Sequence, residues 1–480
     1  MGRQEECCEA LKRKENPGLK KTLFCPESIA IVGASIDLSR VNGRPLKYLL
    51  AHGYKGNIFP VNPNHEEIEG LRCYPDLSAI PEHVDVALIL VAAKYVLNVI
   101  KQCAKKGVKG VVIFASGFAE MGTEGKRRQE EISDFAKGNG ISVVGPNSAG
   151  FVNFHENIAC SFSAALESST LLKGSVGFVT QSGAFGGCLV DRGLDMGIGF
   201  SYFVSTGNEA GLDVLDCAEF MLHDSNTDVV AGFIEGFEDG VRFVDVADLA
   251  IKKKKPLIFY KVGRSKVSEN VTMSHTGKLT GSDVFYDAAF KQNGVIRVDD
   301  PHDILEVASL FTKCKLPEGE RIGIVSTTGG GAGVVVDECA QVGLMAAPFQ
   351  EETKRELAKK LPGFIVPGNP VDVTSYAINN PNVFRDILSL LVNDKGLDLI
   401  IVIISMASSS IAERLGRDLL AVHEYSEKPV ITVWLAGELS DPGIEIIKGA
   451  IPVFRRVDTC VKSIRTFLDY GRFLMDHCNL

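Results

Sequence analysis

Short apolar runs rich in β-branched residues alternate with helix-like segments along nearly the whole chain. This alternation is typical of parallel sheets whose strands are connected by crossover helices. Segments such as 94–106 and 124–138 separate the runs and have the residue pattern of helices. The sequence therefore predicts an α/β fold made of consecutive doubly wound parallel sheets.

The apolar runs fall into three blocks, each about the size of a common domain of roughly 100–150 residues. The runs are 29–35, 57–62, 84–91, 110–116 and 141–147 in the first block; 175–183, 200–206, 229–236, 256–263 and 294–300 in the second; and 321–330, 344–348, 397–405, 429–435 and 452–457 in the third. We expect domains at 20–160, 165–315 and 318–480, with joints at 162–174 and 313–320.

Small or polar residues follow the apolar runs of the first block. Ligands of open parallel sheets bind beyond the carboxyl ends of the strands, so these residues would share one edge. A long, thin, nucleotide-like ligand could lie there, with a phosphate near Ser35 and Arg44. Tight turns without a ligand would give a similar pattern, and Gly43 comes too late to complete G-x-G-x-x-G. The candidate ligand-binding residues are Gly33, Ala34, Ser35, Arg44, Asn62, Pro63, Val91, Ser116, Gly117, Phe118 and Asn147.

Two further runs end in polar residues and glycines directly before a helix-like segment. "TQSGAFGG" at 180–187 and "STTGGGAGVVVDE" at 326–338 share this layout. The free N–H groups of a helix N-terminus bind anions, although glycine turns for tight packing are the alternative. The repetition in successive blocks favours two anion sites. Their candidate residues are Gln181, Ser182 and Gly183 in the first, and Gly329, Gly330 and Gly331 in the second.

One of the nine histidines, His275, lies in the polar loop "TMSHTGKLTGSD" at 272–283. The hydroxyls and glycine amides of this loop could hold an anion, and the imidazole could be a ligand, a base or a nucleophile. A surface turn with a solvated histidine is the alternative.

Composition excludes several classes of protein. The net charge of -9 and the pI near 5.6 argue against a general nucleic-acid binder. No apolar run reaches the ~20 residues needed to span a bilayer, and the charged N-terminus lacks the apolar core of a signal peptide. The 12 cysteines form no C-x-x-C pair, which predicts a reducing cytoplasm and no metal site.

Taken in chain order, these stretches resemble the α subunit of the ADP-forming acyl-CoA (acetyl-CoA) synthetases, relatives of succinyl-CoA synthetase. The resemblance runs from about residue 24 to residue 480, and the histidine loop and "GNPVD" are its most specific parts. The matching stretches are "SIAIVGAS", "NIFPVNP", "ASGFAEMG", "GPNSAG", "TQSGAFGG", "STGNEAGLDVLDCAEF", "GFIEGFEDG", "GRSKVSENVTMSHTGKLTGSD", "STTGGGAGVVVDE" and "GNPVDVTS".

The resemblance implies a Rossmann-like domain that binds coenzyme A, followed by two flavodoxin-like CoA-ligase domains. It implies that His275 is phosphorylated and carries the phosphoryl group between sites, while Glu235 orients and stabilises the imidazole. The stretches 181–183 and 329–331 match two helix starts that cradle phosphate. A carboxylate on one ring nitrogen would fix the tautomer and leave the other nitrogen free to attack phosphorus.

The resemblance also implies a partner. The nucleotide site of this family lies on an ATP-grasp domain, which this sequence lacks, so we expect a separate β subunit that binds ADP or ATP with Mg²⁺. The expected assembly is a cytoplasmic α2β2 hetero-oligomer without nucleic acid or membrane. The implied reaction converts acyl-CoA, ADP and phosphate to the free acid, CoA and ATP through an acyl phosphate and a phosphohistidine.

The sequence departs from the family pattern at 91–93, at 268–273 and at Ser148, but no departure removes a reacting group. Two alternatives remain: a related synthetase for a longer or aromatic acid, and a CoA- or nucleotide-sensing binding protein without catalysis. The presence of both His275 and Glu235 favours catalysis.

Overall fold

The computed structural model describes residues 17–167, 170–268, 282–405 and 407–478. The first sheet is parallel and comprises β1 (Ser28–Val32), β2 (Asn57–Val61), β5 (Val86–Ile89), β6 (Gly110–Ile113) and β7 (Ser142–Val144), in the order β2-β1-β5-β6-β7. A hairpin of β3 (Glu67–Ile68) and β4 (Leu71–Arg72) follows β2. The helices of this part are α1 (Pro17–Phe24), α2 (Arg44–Ala51), α3 (Ala93–Lys106) and α4 (Thr123–Gly138).

Burial explains the long apolar runs of this sheet. Every residue of β1 and of β5 is buried, as expected where helices cover both faces of a parallel sheet. The helices predicted at 94–106 and 124–138 are confirmed as α3 and α4. α3 ends at Gly107, whose φ of +85° is the left-handed conformation that commonly terminates a helix.

The second sheet has the strand order β14-β13-β12-β10-β11-β8-β9. Its strands are β8 (Gly150–Asn153), β9 (Ile158–Ser161), β10 (Lys173–Thr180), β11 (Phe200–Ser205), β12 (Val229–Ile234), β13 (Leu257–Lys261) and β14 (Ile296–Arg297). Its helices are α5 (Gly183–Asp195), α6 (Val214–His223), α7 (Gly240–Lys253), α8 (Asp283–Gln292) and α9 (Asp303–Lys313).

One segment joins a different sheet from the one we expected. Residues 150–160, which we assigned to the first domain, form most of the β8–β9 hairpin, and this hairpin pairs antiparallel with β11 of the second sheet. The hairpin covers the hydrogen-bonding edge of β11, which would otherwise be exposed. Nothing in the local sequence indicates which sheet edge such a hairpin will extend.

The third sheet is parallel and has the order β16-β15-β18-β19-β20, with β17 also paired to β15. Its strands are β15 (Arg321–Ser326), β16 (Met345–Ala346), β17 (Val371–Asp372), β18 (Leu399–Ile404), β19 (Val430–Trp434) and β20 (Val453–Phe454). Its helices are α10 (Gly329–Gln341), α11 (Glu351–Lys360), α12 (Thr374–Asn379), α13 (Val383–Asn393), α14 (Ser409–His423), α15 (Asp441–Ile447) and α16 (Val457–Cys478).

Each sheet reverses its winding beside one central strand. β1 lies between β2 and β5, β10 between β11 and β12, and β15 between β16 and β18. Ligands of doubly wound sheets bind in the crevice at this reversal. The predicted ligand residues 33–35 and 181–183 follow β1 and β10 directly, and 329–331 begin α10 shortly after β15, so the topology places each at a crevice.

Helices α9 and α16 pack together between the second and third sheets. The ring of Phe311 lies 4.8 Å from that of Phe467 and 5.2 Å from that of Tyr470, measured between centroids. Leu305 of α9 belongs to the core of the second sheet, and Leu310 to that of the third. Among the described residues, no helix is long and apolar enough to cross a membrane.

Candidate active site

The first crevice is built around Gly33, directly after β1. Its φ is +90°, and its N–H donates a 2.9 Å hydrogen bond to the carbonyl of Val61. A Cβ at this position would lie 3.0 Å from the Leu90 carbonyl oxygen and 3.1 Å from Cγ1 of Val91. Both the conformation and the close approach of the segment after β5 therefore require glycine.

Two asparagine side chains hold this turn in place. Asn62 Nδ2 donates to the carbonyl of Ala34 at 2.8 Å, and Asn42 Nδ2 donates to that of Gly33 at 2.9 Å. The side-chain oxygen of Asn62 accepts from the N–H of Asn64 at 3.0 Å. Asn62 therefore shapes the turn between Gly33 and Ser35, and the adjacent Pro63 is exposed. The sequence pattern did not single out Asn42, which lies on the loop between β1 and α2.

Ser35 and Arg44, predicted to lie near a phosphate, are partly exposed beside this crevice. Ser35 Oγ accepts from the N–H of Asp37 at 3.0 Å. The guanidinium of Arg44 donates through Nε to the carbonyl of Ser39 and through Nη1 to that of Phe162, both at 3.2 Å. Arg44 thus links the crevice to the segment that leads into the second sheet.

The loop after β6 presents backbone and a hydroxyl to the same edge. Ser116 is exposed, and Gly117 has a φ of +107°. The N–H groups of Gly117 and Phe118 donate to Oε1 of Glu120 at 2.6 and 3.2 Å. The Phe118 ring is fully buried in the core, so only the backbone of this residue can face a ligand.

A buried amide connects this edge to the second sheet. Asn208 donates from Nδ2 to Glu120 Oε2 at 2.5 Å and to Gln129 Oε1 at 3.1 Å, and accepts from Asn147 Nδ2 at 3.3 Å. Burial alone would raise the pKa of Glu120, but the N–H donors of Gly117 and Asn208 outweigh it and lower that pKa. Asn208 lies in "STGNEAG", and the sequence pattern did not single it out.

The second crevice contains a turn stabilised by Thr180, the last residue of β10. Its Oγ1 accepts from the N–H of Ser182 at 3.1 Å and donates to the Ser182 carbonyl at 3.0 Å. Helix α5 begins at Gly183, and the Ser182 hydroxyl makes no capping hydrogen bond. A Cβ on Gly183 would lie 3.0 Å from the Cβ of Ala149, so the start of α5 packs closely on the loop between β7 and β8.

Gln181 uses both ends of its side chain within the protein. Its Oε1 accepts from the N–H groups of Glu235 and Gly236 at 2.5 and 3.2 Å. Its Nε2 donates to the Gly236 carbonyl and to Glu209 Oε2, both at 2.9 Å. The backbone N–H of Gln181 donates to the Phe233 carbonyl at 3.2 Å. In this arrangement Gln181 positions Glu235 and leaves no donor for an anion.

Glu235 follows β12 directly and is 6% exposed. The neighbouring strand ends at Lys261, which pairs in register with Ile234 and is fully buried. The ammonium of Lys261 lies 4.7 Å from the ring centroid of Tyr286 on α8. His275 lies outside the described residues, so its predicted contact with Glu235 stays a prediction.

The third crevice repeats the hydrogen-bond scheme of the second. Ser326 Oγ accepts from the N–H of Thr328 at 3.1 Å and donates to its carbonyl at 2.6 Å. The N–H of Thr327 donates to the Ile403 carbonyl at 3.0 Å, and Thr327 Oγ1 accepts from the N–H of Ser405 at 2.9 Å. Thr327 therefore occupies the place of Gln181, and Ser405 occupies the place of Glu235.

A carboxylate lies at the start of α10 in this third crevice. A Cβ on Gly329 would come within 2.7 Å of Oδ2 of Asp372, the last residue of β17. A negative side chain is favourable beside a helix N-terminus, but it repels a second anion there. Gly330 faces open space, whereas a Cβ on Gly331 would meet Thr328 Cγ2 at 2.7 Å. The three predicted glycines are therefore not equivalent.

No group of three or more histidine, cysteine, aspartate or glutamate side chains in the described ranges could hold a metal ion. Several free cysteines, including Cys103 and Cys160, are buried there, and burial raises the pKa of Cys103 to about 12. The described crevices thus offer helix N-termini and hydroxyls, which suit anionic and phosphorylated ligands, and a buried carboxylate at Glu235.

Comparisons with known proteins agree with this arrangement. A "CoA binding domain" profile matches residues 27–153, and a "Succinyl-CoA ligase like flavodoxin domain" profile matches residues 173–311. The chain is 37% identical to the α subunit of ADP-forming acetate–CoA ligase II of Pyrococcus furiosus, over 90% of this chain and 94% of the relative. It is 33% identical to ADP-forming acetate–CoA ligase I of Archaeoglobus fulgidus, over 94% of this chain but only 63% of that longer protein.

A solved structure has the same fold over almost the whole chain. It is the acetyl-coenzyme A synthetase 1 of Candidatus Korarchaeum cryptofilum, described as dinucleotide forming and in complex with phosphate and ADP. The TM-score is 0.87 at 30% identity, and the superposition covers 96% of this chain and 98% of the other. The similarity therefore extends through all three sheets.

Proposed function

The chain belongs to the family of ADP-forming acetate–CoA ligase α subunits, and on this premise we propose that it is the α subunit of an ADP-forming acyl-CoA synthetase. It would convert acyl-CoA, phosphate and ADP to the acid, CoA and ATP together with a partner. The observation that carries the proposal is the position of Glu235, which Gln181 holds beside the N-terminus of α5.

We assign coenzyme A to the first crevice and to the domain that we predict at 20–160. Gly33 lets the turn after β1 pack against Leu90 and Val91 at the carboxyl edge of the sheet, where ligands of such sheets bind. Ser35 and Arg44 flank this turn, and Ser116 and Val91 lie partly or fully exposed along the same edge. A thioester held there would direct its acyl group towards the second sheet, to which Arg44 and Asn208 link the edge.

Three balanced steps describe the proposed chemistry. A phosphate oxygen attacks the thioester carbonyl, the C–S bond breaks, and CoA leaves as a thiol after taking up a proton. A ring nitrogen of His275 then attacks the phosphorus of the acyl phosphate, and the carboxylate of the free acid leaves. The phosphoryl group finally passes from His275 to ADP, which regenerates the imidazole.

Residues of the chain assist these steps electrostatically. The N–H groups at the start of α5 would offset the negative charge of the transferring phosphoryl group, and those at the start of α10 would assist against the repulsion from Asp372. Glu235 would accept a hydrogen bond from the far ring nitrogen of His275 and stabilise the positive charge that forms there. Because Glu235 is almost fully buried, water screens this interaction little.

We assign the nucleotide to a separate β subunit with an ATP-grasp domain that binds ADP or ATP with Mg²⁺. The α-subunit names of two relatives support a partner. We further propose an α2β2 assembly in the cytoplasm. ATP formation from acetyl-CoA, ADP and phosphate should therefore require both subunits, and robust synthesis by the rigorously purified single chain would contradict this.

Phosphorylation of the protein tests the proposed chemistry most directly. Acetyl-CoA plus radiolabelled phosphate should leave an acid-labile, base-stable phosphate on the wild-type chain. His275→Ala should abolish both the label and turnover with the partner, whereas Glu235→Gln should slow labelling by roughly 10²-fold and leave CoA binding intact.

His83→Ala provides a matched control, because this histidine is well exposed and lies just before β5, outside the three crevices. It should label like the wild type. Wild-type turnover by His275→Ala in the presence of the partner would refute the phosphohistidine mechanism.

A further inference from the structure

The segment between β11 and α6, residues 206–212, connects elements of the second sheet but lies along β7 at the edge of the first. Three of its backbone N–H groups donate to carbonyls of β7 and of the loop that follows it. These bonds, 2.8–2.9 Å long, join Asn208 to Pro146, Ala210 to Gly145 and Leu212 to Val143. The segment is therefore fixed on the first sheet, while its ends continue into β11 and α6 of the second.

Two consecutive residues of this segment face different crevices. The side-chain amide of Asn208 donates to Glu120, whose carboxylate holds the loop after β6 in the first crevice. The carboxylate of Glu209 accepts from Nε2 of Gln181, in the second crevice, at 2.9 Å. Glu209 is thus the residue through which the segment contacts the turn that holds the backbone of Glu235.

The carboxylate of Glu209 accepts three hydrogen bonds. Oε2 accepts from Gln181, whereas Oε1 accepts from the hydroxyl of Thr206 at 2.9 Å and from the N–H of Val214 at 3.0 Å. Val214 is the first residue of α6, and a negative side chain is favourable at the start of a helix. Donors therefore hold the carboxylate from two sides, with Gln181 on one oxygen and the start of α6 on the other.

The backbone of Glu209 has an unusual conformation. Its φ is +60°, in the left-handed region that residues other than glycine seldom occupy. Such a conformation persists where the surrounding contacts determine it. Here the backbone hydrogen bonds at positions 208 and 210 and the three bonds to the carboxylate hold the residue, so the fold fixes the direction of its side chain.

We propose that Glu209 is a positioning residue of the phosphoryl-transfer site, which sets the orientation of the Gln181 amide and thereby the backbone of Glu235. An ionised carboxylate only accepts hydrogen bonds, so it selects the amide orientation in which Nε2 faces Glu209. Oε1 then faces the N–H groups of Glu235 and Gly236. If the amide turned over, its NH₂ group would oppose those N–H groups and Glu235 would lose its acceptor. The inference rests on the proposed function and adds a residue to the same site.

Replacing the carboxylate with an amide is the first test. Glu209→Gln leaves a single acceptor oxygen, although donors approach from Gln181 on one side and from Val214 on the other. Labelling of the full chain by acetyl-CoA and radiolabelled phosphate, followed by rapid quench, should slow by roughly 10-fold. The affinity for CoA, measured by calorimetry, should stay unchanged, because Glu209 lies outside the first crevice. Equal losses of labelling rate and CoA affinity would indicate a general loss of structure and would contradict the proposal.

Exchanging the two side chains separates positioning from a general role in folding. Gln181→Glu alone places two carboxylates together and should slow labelling. The double variant Gln181→Glu/Glu209→Gln again has one donor opposite one acceptor, with their places exchanged. It should label roughly threefold faster than Gln181→Glu, because residues in contact have non-additive effects. A double variant that labels no faster than Gln181→Glu would overturn the proposal.

Glu209→Gly separates the side chain from the backbone, since glycine adopts a left-handed φ without strain. The backbone of the segment should therefore tolerate this change, whereas Gln181 loses its acceptor. Labelling should be as slow as in Glu209→Gln. If either variant labelled at the wild-type rate, the carboxylate would have no positioning role.

Glu69→Gln is the matched control, because Glu69 also has a left-handed φ, of +52°, but is exposed in the turn between β3 and β4. It should label like the wild type. The two proposals fail in different ways. A wild-type chain that takes up no label would refute the proposed function and this inference together, whereas a labelled wild type with an equally fast Glu209→Gln would refute this inference alone.

Discussion

The side chain of Gln181 is bound by other residues of the protein at both of its polar atoms. It follows β10 in a loop predicted to bind phosphate, yet its amide is fully engaged with Glu235, Gly236 and Glu209. These bonds fix the backbone that carries the Glu235 carboxylate. We therefore expect Gln181 to position Glu235, and its predicted contact with phosphate stays a prediction.

Gln181→Glu tests this role with an isosteric change. The new carboxylate keeps one acceptor for the N–H of Glu235 but meets the Glu209 carboxylate and the Gly236 carbonyl where an N–H₂ group had donated. Phosphorylation of the protein should slow by roughly 10-fold or more, because Glu235 loses its alignment. Measurement by rapid quench at pH 8 should show the loss, and protonation at lower pH should restore part of the rate.

Gln341→Glu serves as the control, since this exposed glutamine lies at the far end of α10. It should label at the wild-type rate at every pH. A pH-independent loss in Gln181→Glu would indicate general misfolding of the crevice instead of a lost donor.

At the scale of elements, the two helix starts share a turn but differ in how closely they pack. A Cβ on Gly186, in the first turn of α5, would lie 2.3 Å from Cγ2 of the buried Thr180. The same addition on Gly330, in the first turn of α10, would meet nothing within 4 Å. Glycine is therefore required for packing in α5 but not at this position of α10.

Gly186→Ala should destabilise the protein by about 1–3 kcal/mol, because overpacking forces Thr180 and its turn to move. Gly330→Ala should be neutral or stabilising by up to about 1 kcal/mol, since alanine favours the helix. Urea unfolding of both variants checks the pair. If the two variants were destabilised equally, glycine would be needed at both positions for the backbone conformation and not for packing.

In the whole molecule, α9 and α16 join the second sheet to the third. The acidic side chain of Glu306 lies where these two helices pack together. Burial raises the pKa of Glu306 on α9 to about 7, although a hydrogen bond from Thr459 of α16 opposes the shift. Its Oε2 is buried without a hydrogen-bond partner among the described residues. Asp303 and Asp458 add repulsion, and Arg456 partly offsets it.

The pH dependence follows from this raised pKa. An unfolded glutamate ionises near pH 4.5, so the folded state holds the extra proton between pH 4.5 and about 7. The stability associated with Glu306 is complete below pH 4.5 and is lost as the pH rises through 7. Glu306→Gln should therefore stabilise the protein by roughly 1–3 kcal/mol at pH 8 and have little effect at pH 4.5.

Thermal unfolding midpoints across this pH range test the prediction. The exposed Glu352→Gln on α11 is the control, and it should not raise the midpoint at pH 8, because the N-terminus of a helix favours a negative side chain. A Glu306→Gln variant that is no more stable than wild type at pH 8 would show that the contact between α9 and α16 tolerates the ionised carboxylate.

The alternation of strands and helices, and the loops at the crevices, could be predicted from the sequence alone. Apolar runs with crossover helices leave few alternatives to parallel sheets, and strand ends of such sheets are where ligand loops occur. The family was identified from the same loops and is confirmed by relatives that match almost the whole chain. The individual ligand roles of the site residues stay predictions.

Which of those residues lie open at a crevice and which are engaged with other side chains follows from the fold and could not be predicted from the sequence. The buried ring of Phe118, the engaged amide of Gln181 and the carboxylate of Asp372 beside Gly329 all depend on neighbours far away in sequence. The same holds for the β8–β9 hairpin, which extends the second sheet instead of the first. The periodicity of apolar residues indicates only whether a position is buried. The partner of a polar side chain depends on which strands the fold brings together.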